Sequence, residues 1–284
     1  MPSTSVIGKI EHLDPVQDNQ QILFLSSRID FPFDTTRALE FALFRTFCSP
    51  PISKILDETG EFQNRTAKRY EDTDILVSEI VENGYDSERG RMAIRRMNQL
   101  HGRFNIANED FLYVLSTFVF EPIRWNAKFG WRMLTEKEKL AYFYFWREVG
   151  QRMNIREIPD NYSGYEQFNL DYEASNFRFT PQNQRVGAST RELFVSWFPR
   201  VFAPLVRGAI YSLLDEPLLK AFGFPRANFL LRSAVLSSLK LRAAVLRSLP
   251  KRTQPLLRTK MRRALYPEGY EIDALGPPGT QMMR

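Results

Sequence analysis

An all-α fold is what this sequence predicts, on three observations. Apolar residues recur at helical spacing along nearly the whole chain. Two capping boxes, Thr135-x-x-Glu138 and Ser189-x-x-Glu192, open helical runs. Strand-like alternation is confined to Gln21–Ser26 and a short stretch near Phe177–Phe179. The 284 residues are 43% hydrophobic and 25% charged, which is a globular composition able to bury a sizeable core. The 23 Phe, 11 Tyr and 4 Trp suit a deep core, and equally an apolar pocket.

The elements follow in order. A first helix is expected from about Asp34 through ALEFALFRTF to Cys48, ended by Pro50-Pro51. A second piece runs from Ile52 to Thr59 and stops at Gly60. The next spans about Asn64 to Glu82 and closes on Asn83-Gly84, a pair that favours the helix C-terminus. Another runs from about Ser87 to Phe104. The very apolar EDFLYVLSTFVFEPIRW follows Asn108, with Pro122 expected to kink or break it. Thr135 then caps EKEKLAYFYFWREVGQRM, which ends before Ile158-Pro159. Residues 160–187, rich in Asn, Gln, Tyr and Ser, read as a long connection. Ser189 is expected to open a C-terminal half of helices interrupted by Pro199, Pro204, Pro217 and Pro225, and the tail after Met261 reads as irregular. This divides the chain into an extension over 1–33, a helical core over 34–158, and a connecting and C-terminal helical region over 159–284.

The rare residues restrict the chemistry. The single cysteine, Cys48, excludes a disulfide framework and a cysteine-based zinc site, and suits a cytosol-facing, reducing compartment. With Phe47 and Pro50 beside it, it reads as core. Only two histidines occur, and His12 lies in a polar N-terminal segment, so histidine chemistry falls on His101. No G-x-S-x-G, P-loop or G-x-G-x-x-G motif is present. The first twenty residues lack the pattern of a signal peptide, and no run of about 18 uncharged apolar residues exists to span a bilayer. The expected setting is therefore cytoplasmic.

Charge is unevenly distributed. Residues 226–263 hold eleven Lys or Arg and no acid, which leaves the rest of a +6 chain at −5. Within that stretch NFLLRSAVLSSLKLRAAVLRSL spaces leucines and valines helically among cations. Two readings stand: a basic amphipathic helix suited to an anionic membrane surface, or a helix packed on the core with its charges in water. No reader motif accompanies the charge, so nucleic acid is not an expected partner.

Two helices hold the residues best placed for chemistry. Ile94, Met97, Leu100, His101 and Phe104 share one helical face, so His101 points inward. It is either a core histidine bonded to a carbonyl or, beside Met97, the proximal ligand of a haem. On the preceding helix Arg65, Arg69, Thr73, Leu76 and Ile80 form a stripe running from cationic to apolar. Arg69 and Thr73, one turn apart, are able to address one bound group together, whereas Lys68 and Asp72 form an ordinary pair at the same spacing.

The blocks TTRALEFALFRTF, DETGEF, KRYEDT, NQLHGRFNI, FLYVLSTFVFEPIRW, FGWR, FWREVGQRM and the late YPEGY, in this order, resemble the MpaB-type oxygenase and rubber oxygenase (latex-clearing protein) family. The resemblance is strong over about Asp34 to Ile158 and weaker beyond. It implies a globin-like helical core binding haem b, and use of dioxygen to cleave or oxidise carbon–carbon double bonds of isoprenoid chains. Arg69 and Thr73 match the family's arginine and threonine four apart, and His101 matches its proximal iron ligand. Arg69, Asp72 and Thr73 are thus the expected catalytic residues, and His101, Arg69, Thr73 and Met97 the expected haem contacts. Rubber oxygenases carry a lysine just before the threonine; here Asp72 stands there, which implies a sixth iron position that is open or water-filled. The family's acidic base lies upstream of the arginine, where Glu58 and Glu61 are the candidates. Arg65, Arg95, Arg96, Arg103, Arg124 and Arg132 are available to haem propionates. The expected partners are a hydrophobic small molecule, dioxygen and, through 226–263, an anionic membrane surface. The alternative is a non-enzymatic helical protein that binds haem or lipid without turnover.

Overall fold

In the computed structural model, which describes residues 5–280, every regular element among the described residues is helical. Residues 1–4 and 281–284, the ends of the first and third regions defined above, lie outside the described residues. The chain opens with α1 (Val6–Ile10) and α2 (Asn19–Phe24), followed by a π-helical turn over Leu25–Asp30. The alternation at Gln21–Ser26 is therefore not a strand. Ile22, Leu23 and Leu25 are buried on a helical surface, and α2 packs against a later helix. Phe177–Phe179 is an unpaired extended link.

Helix α3 (Pro32–Phe47) starts with proline at its first turn, where the missing N–H costs nothing. Then come α4 (Pro50–Glu58), the single turn α5 (Glu61–Asn64), α6 (Thr66–Asn83) and α7 (Glu88–His101). Gly84 closes α6 with φ of +89°, a conformation a side chain would strain. The Ser87 hydroxyl caps α7 by accepting from the Gly90 amide at 2.9 Å. Helix α8 (Asn108–Phe129) runs through Pro122 without a break, and α9 (Glu136–Arg152) carries the expected Thr135–Glu138 capping box. Helix α3 packs along α8, α6 along α7, and α2 along α9. Their buried faces build the main core, in which Phe120, Phe143, Phe145 and Tyr165 are enclosed. Each such aromatic contributes about 1.5–3 kcal/mol by leaving water.

Residues 160–187 are not a connection. They form α10 (Tyr162–Asn176) and the first seven residues of α11 (Pro181–Ser196). Asn161 and Thr180 supply the N-caps, and three of the polar residues that suggested a loop face inward. Asn169 donates to Ser116 Oγ at 2.8 Å, Asn183 donates to the Cys48 carbonyl at 2.9 Å, and Tyr165 donates to the Leu112 carbonyl at 2.8 Å. Buried amides are stable only when so partnered. Ser189 consequently sits in mid-helix and caps nothing. Helix α11 lies on α4, next to a second apolar cluster built on Phe44, Phe47, Phe194 and Phe222. The chain continues through α12 (Ala203–Leu213), α13 (Glu216–Phe222) and α14 (Phe229–Ser248), with α14 lying along α12. After Ser248 only isolated helical turns occur among the described residues, as expected of the tail. No helix among them is long and apolar enough to cross a membrane.

Candidate functional site

Helices α6 and α7, joined by a tight turn, bring the expected residues to one place. Arg69, Asp72, Thr73, Met97 and His101 all line a single cavity of about 260 Å³, closed by side chains from α3, α5, α8 and α11. Its wall is chiefly apolar, with Phe47, Phe62, Leu76, Phe111, Leu115 and Trp146 among the lining residues. An open groove between the start of α6 and α11 adjoins it, and Thr66 and Leu193 border both.

His101 is the last residue of α7. A helix C-terminus favours a protonated imidazole. Here the opposite effect wins: burial, assisted by the Arg69 charge, pushes the pKa down to about 4. The ring is therefore neutral at physiological pH. Phe111 packs edge-on to it at 5.5 Å between ring centroids. Its Nδ1 is buried and has no hydrogen-bond partner. Neutral charge and an uncommitted nitrogen are what a metal ligand requires.

Arg69 is held by its neighbour. Thr73 donates its hydroxyl hydrogen to the Arg69 carbonyl at 2.8 Å, which turns an oxygen lone pair toward the guanidinium, and Nη1 of Arg69 donates to that oxygen. The Phe62 ring lies 5.8 Å below the guanidinium carbon. No carboxylate among the described residues comes within 4.0 Å of Arg69, and burial lowers its pKa. The cation remains charged, because guanidinium does not lose its proton in proteins. It is thus an enclosed positive charge with no salt bridge, although Asp72 and Glu61 stand near enough to offset part of the effect of burial.

Asp72 lines the same cavity but is fully engaged. Lys68 Nζ and the Gly276 amide donate to Oδ2 at 2.7 and 2.8 Å, and the Tyr266 hydroxyl donates to Oδ1. The carboxylate thereby anchors the C-terminal tail, and Gly276 and Pro277 become part of the cavity wall. Tyr270 repeats the arrangement two turns further along α6, donating to Glu79 at 2.6 Å. The two tyrosines of the YPEGY block are therefore latches. The tail's place in the wall had no sequence signal beyond that block, and Thr190 and Leu193 lie in a stretch that read as helix but carried no sign of facing this cavity.

The two upstream glutamates separate. Glu61 is buried in the cavity wall and paired with Arg65, its Oε2 accepting from Nε at 3.0 Å. Glu58 lies on the outer side of α4, 3.9 Å from Lys54. Among the six arginines considered for propionates, only Arg103 lines the cavity. Arg96 is spent on the tail, donating to the Leu275 carbonyl at 2.8 Å and the Thr280 carbonyl at 2.8 Å. Arg124 is paired with Glu121, and Arg132 with Asp30 and Glu138. Arg65 borders the outer groove instead, and Arg95 is exposed and borders neither space.

The donor set fits a haem. It combines a neutral imidazole with an unpartnered nitrogen, an apolar enclosure, and two cations, Arg69 and Arg103, suited to carboxylates.

The chain is similar to known proteins over most of its length. Residues 39–247 match the family described as ER-bound oxygenase mpaB/B'/rubber oxygenase, catalytic domain. The chain is 30% identical over 219 residues to the ER-bound oxygenase mpaB of Penicillium roqueforti (strain FM164), covering 71% of this chain and 74% of that protein. It is 31% identical over 233 residues to the ER-bound oxygenase mpaB' of Penicillium brevicompactum, covering 75% of this chain and 54% of that one. The mpaB of Penicillium brevicompactum is 31% identical over 188 residues, 60% of this chain and 48% of its own length. The chain thus spans about three quarters of one curated relative and about half of the other two. With the match extending over most of the helical body and across the whole α6–α7 wall, this chain belongs to the MpaB and rubber oxygenase catalytic-domain family.

Proposed function

We propose that the protein is a haem b-dependent oxygenase that acts with dioxygen on an alkene of an isoprenoid-like or other hydrophobic small molecule. The observation that carries this reading is the neutral His101 imidazole, with its buried, unpartnered Nδ1, in the wall of an apolar cavity. His101 would hold the iron, and Arg103 and Met97 would contact the macrocycle and its carboxylates. Haem, when bound, supplies activation of dioxygen.

The remaining work falls to the chain's own residues. The apolar wall excludes water and receives the hydrocarbon. Arg69, oriented by Thr73, offers a fixed positive charge to whatever negative charge develops beside it, since its acidic neighbours Asp72 and Glu61 are bonded to other groups and form no salt bridge with it. Glu61 is the residue suited to accept a proton from substrate, since its carboxylate borders the cavity and Arg65 keeps it oriented. Asp72 acts through position: it holds the tail against the cavity.

Two measurements test the reading. The purified protein should show a Soret band, or acquire one on adding haemin. Incubation with a short isoprenoid alkene in air should yield oxygenated or cleaved product by mass spectrometry, and none under nitrogen. A protein that takes up no haem would overturn the cofactor assignment. One that binds haem but forms no dioxygen-dependent product would be a haem carrier.

A further inference from the structure

The C-terminal helices leave an apolar surface uncovered. Residues 197–205 read WFPRVFAPL, and Trp197, Phe198, Val201, Phe202 and Leu205 are all exposed, Val201 by 78%. Helix α14 is apolar on two sides. Its inner side carries Leu236 and Leu239 toward Trp125 and Phe129. Its outer side carries Leu230, Leu241 and Val245 at helical spacing, with Leu230 exposed by 75% and Leu241 by 65%. The two surfaces meet. Gly208 of α12 approaches Leu231 so closely that a Cβ there would lie 2.4 Å from Cδ2. Leu205 is one turn before that crossing, and Leu230 is directly beside it.

The charge around this surface is chiefly positive. Arg200, Arg232, Lys240 and Arg247 are exposed, and none has a carboxylate within 4.0 Å among the described residues, Glu216 near Arg232 being paired with Arg226. From Pro217 to Pro267 the chain has no acid at all. A second copy of this chain is a poor occupant, since two such faces would set these cations against their own kind. Exposed aromatic and aliphatic side chains bordered by unpaired cations complement a surface whose depth is hydrocarbon and whose rim is anionic.

We propose that the ridge 197–205 and the outer stripe of α14 together dock on an anionic lipid surface, with the apolar side chains below the headgroups and the four cations among them. The basic stretch expected from sequence is thereby redrawn. Its end belongs elsewhere, because Arg258 and Arg263 are committed to Asp74, and the new part, 197–205, holds a single cation. The ridge also adjoins the cavity. Trp197 packs edge-on against Tyr70 at 5.4 Å, and Tyr70 lines the cavity. The docking surface does not depend on the cofactor or on turnover.

The test is co-sedimentation of the full chain with vesicles of phosphatidylcholine, with and without phosphatidylserine, across a salt series. Wild type should bind the anionic vesicles and leave them as salt rises. Val201→Asp combined with Phe202→Asp should weaken partitioning at least roughly tenfold, since two inserted side chains are lost. Arg232→Ser combined with Lys240→Ser should weaken it roughly tenfold and flatten the salt dependence. Both pairs are exposed, so circular dichroism should match wild type; if the aspartate pair misfolds, the serine pair decides. Trp197 fluorescence should shift to the blue on binding. Absence of wild-type binding, or binding indifferent to both pairs, would overturn the proposal. A wild-type dimer made monomeric by the aspartate pair would assign the surface to a second copy instead.

Discussion

Arg45 and Arg69 are both arginines held inside the helical body, and their surroundings are opposite. Arg45, on α3, donates through Nε and Nη2 to Glu173 at 2.8 and 2.6 Å, and through Nη1 to Asp215 at 2.6 Å; Glu121 stands 3.3 Å from Nε. These carboxylates come from α8, α10 and the N-cap of α13, so one guanidinium ties four elements. Its pKa is raised well above the ordinary value, since three negative charges outweigh burial. Arg69 has a threonine and an aromatic ring, and burial lowers its pKa. Folding completes the first charge and leaves the second for something else to complete. Burial alone does not distinguish a structural cation from a functional one; the presence of its counter-charge does.

The comparison is open to experiment, beginning with the largest effect. If the cavity around Arg69 is a haem site, His101→Ala should abolish stable haem incorporation, while replacement of the exposed His12 should leave the absorption spectrum unchanged. Normal haem content in the His101 variant would remove the cavity's assigned cofactor. Next comes stability. Arg45→Ala removes a shared partner from the enclosed Glu121 and Glu173, which keep Arg124 as a cation, and from the part-exposed Asp215, and should cost roughly 3 kcal/mol in denaturant unfolding. Arg69→Ala breaks no ion pair and should change stability by less than about 1 kcal/mol. Equal losses in the two variants would show that both arginines are structural.

A smaller effect is expected on turnover. Arg69→Ala or Thr73→Val should slow the reaction at least roughly tenfold, the change expected for about 1.4 kcal/mol of transition-state stabilisation, with less loss of haem than for His101→Ala. Full activity of both in an assay that registers wild type would take the pair out of the site.

The smallest effect concerns pH in the haem-free protein. His101 has a pKa of about 4 when folded and 6.5 as an ordinary side chain. As pH falls from 6.5 toward 4, the unfolded chain binds a proton that the folded chain refuses, so His101 makes folding less favourable. Glu40 acts in the other direction, because burial raises its pKa from 4.5 to about 7 and the folded chain takes its proton first. The Glu40 contribution is present below 4.5 and disappears as pH rises through 7. Removing the histidine term with His101→Gln should therefore make the protein gain on wild type as pH falls through this window. The expected gain is on the order of 1 kcal/mol. Parallel stability curves for the two proteins would show that the imidazole is not held neutral by burial.

Much of this site was legible in the sequence because its members are local. Arg69 and Thr73 are one turn apart, and the apolar spacing of Ile94, Met97 and Leu100 turned His101 inward before any neighbour was known. Caps were equally readable where they are local, as at Thr135 and at Asn83-Gly84. The failures lie where a local rule met a tertiary contact. Ser189-x-x-Glu192 has the letters of a capping box, yet Thr180-Pro181 had already started the helix, and Glu192 is paired with Arg207. The Asn- and Tyr-rich stretch before it looked solvated because its hydrogen-bond partners, Ser116, Cys48 and Leu112, are more than fifty residues away. Pro122 was expected to kink or break α8, and the helix runs through it without a break.

The sequence by itself determined that the chain is helical, about where α3, α4 and α6–α9 begin, and which residues of α6 and α7 share a face. These depend on spacing and caps within a few residues, where backbone geometry leaves few choices. Only the tertiary structure decided which charged groups are completed and which are left open. Arg45 found its carboxylates at positions 121, 173 and 215, and Asp72 found Tyr266 and Gly276 about two hundred residues along the chain, while no carboxylate among the described residues came within 4.0 Å of Arg69. Such pairings follow from how whole helices pack, and helix packing depends on the summed fit of many side chains, which no local period in the sequence records.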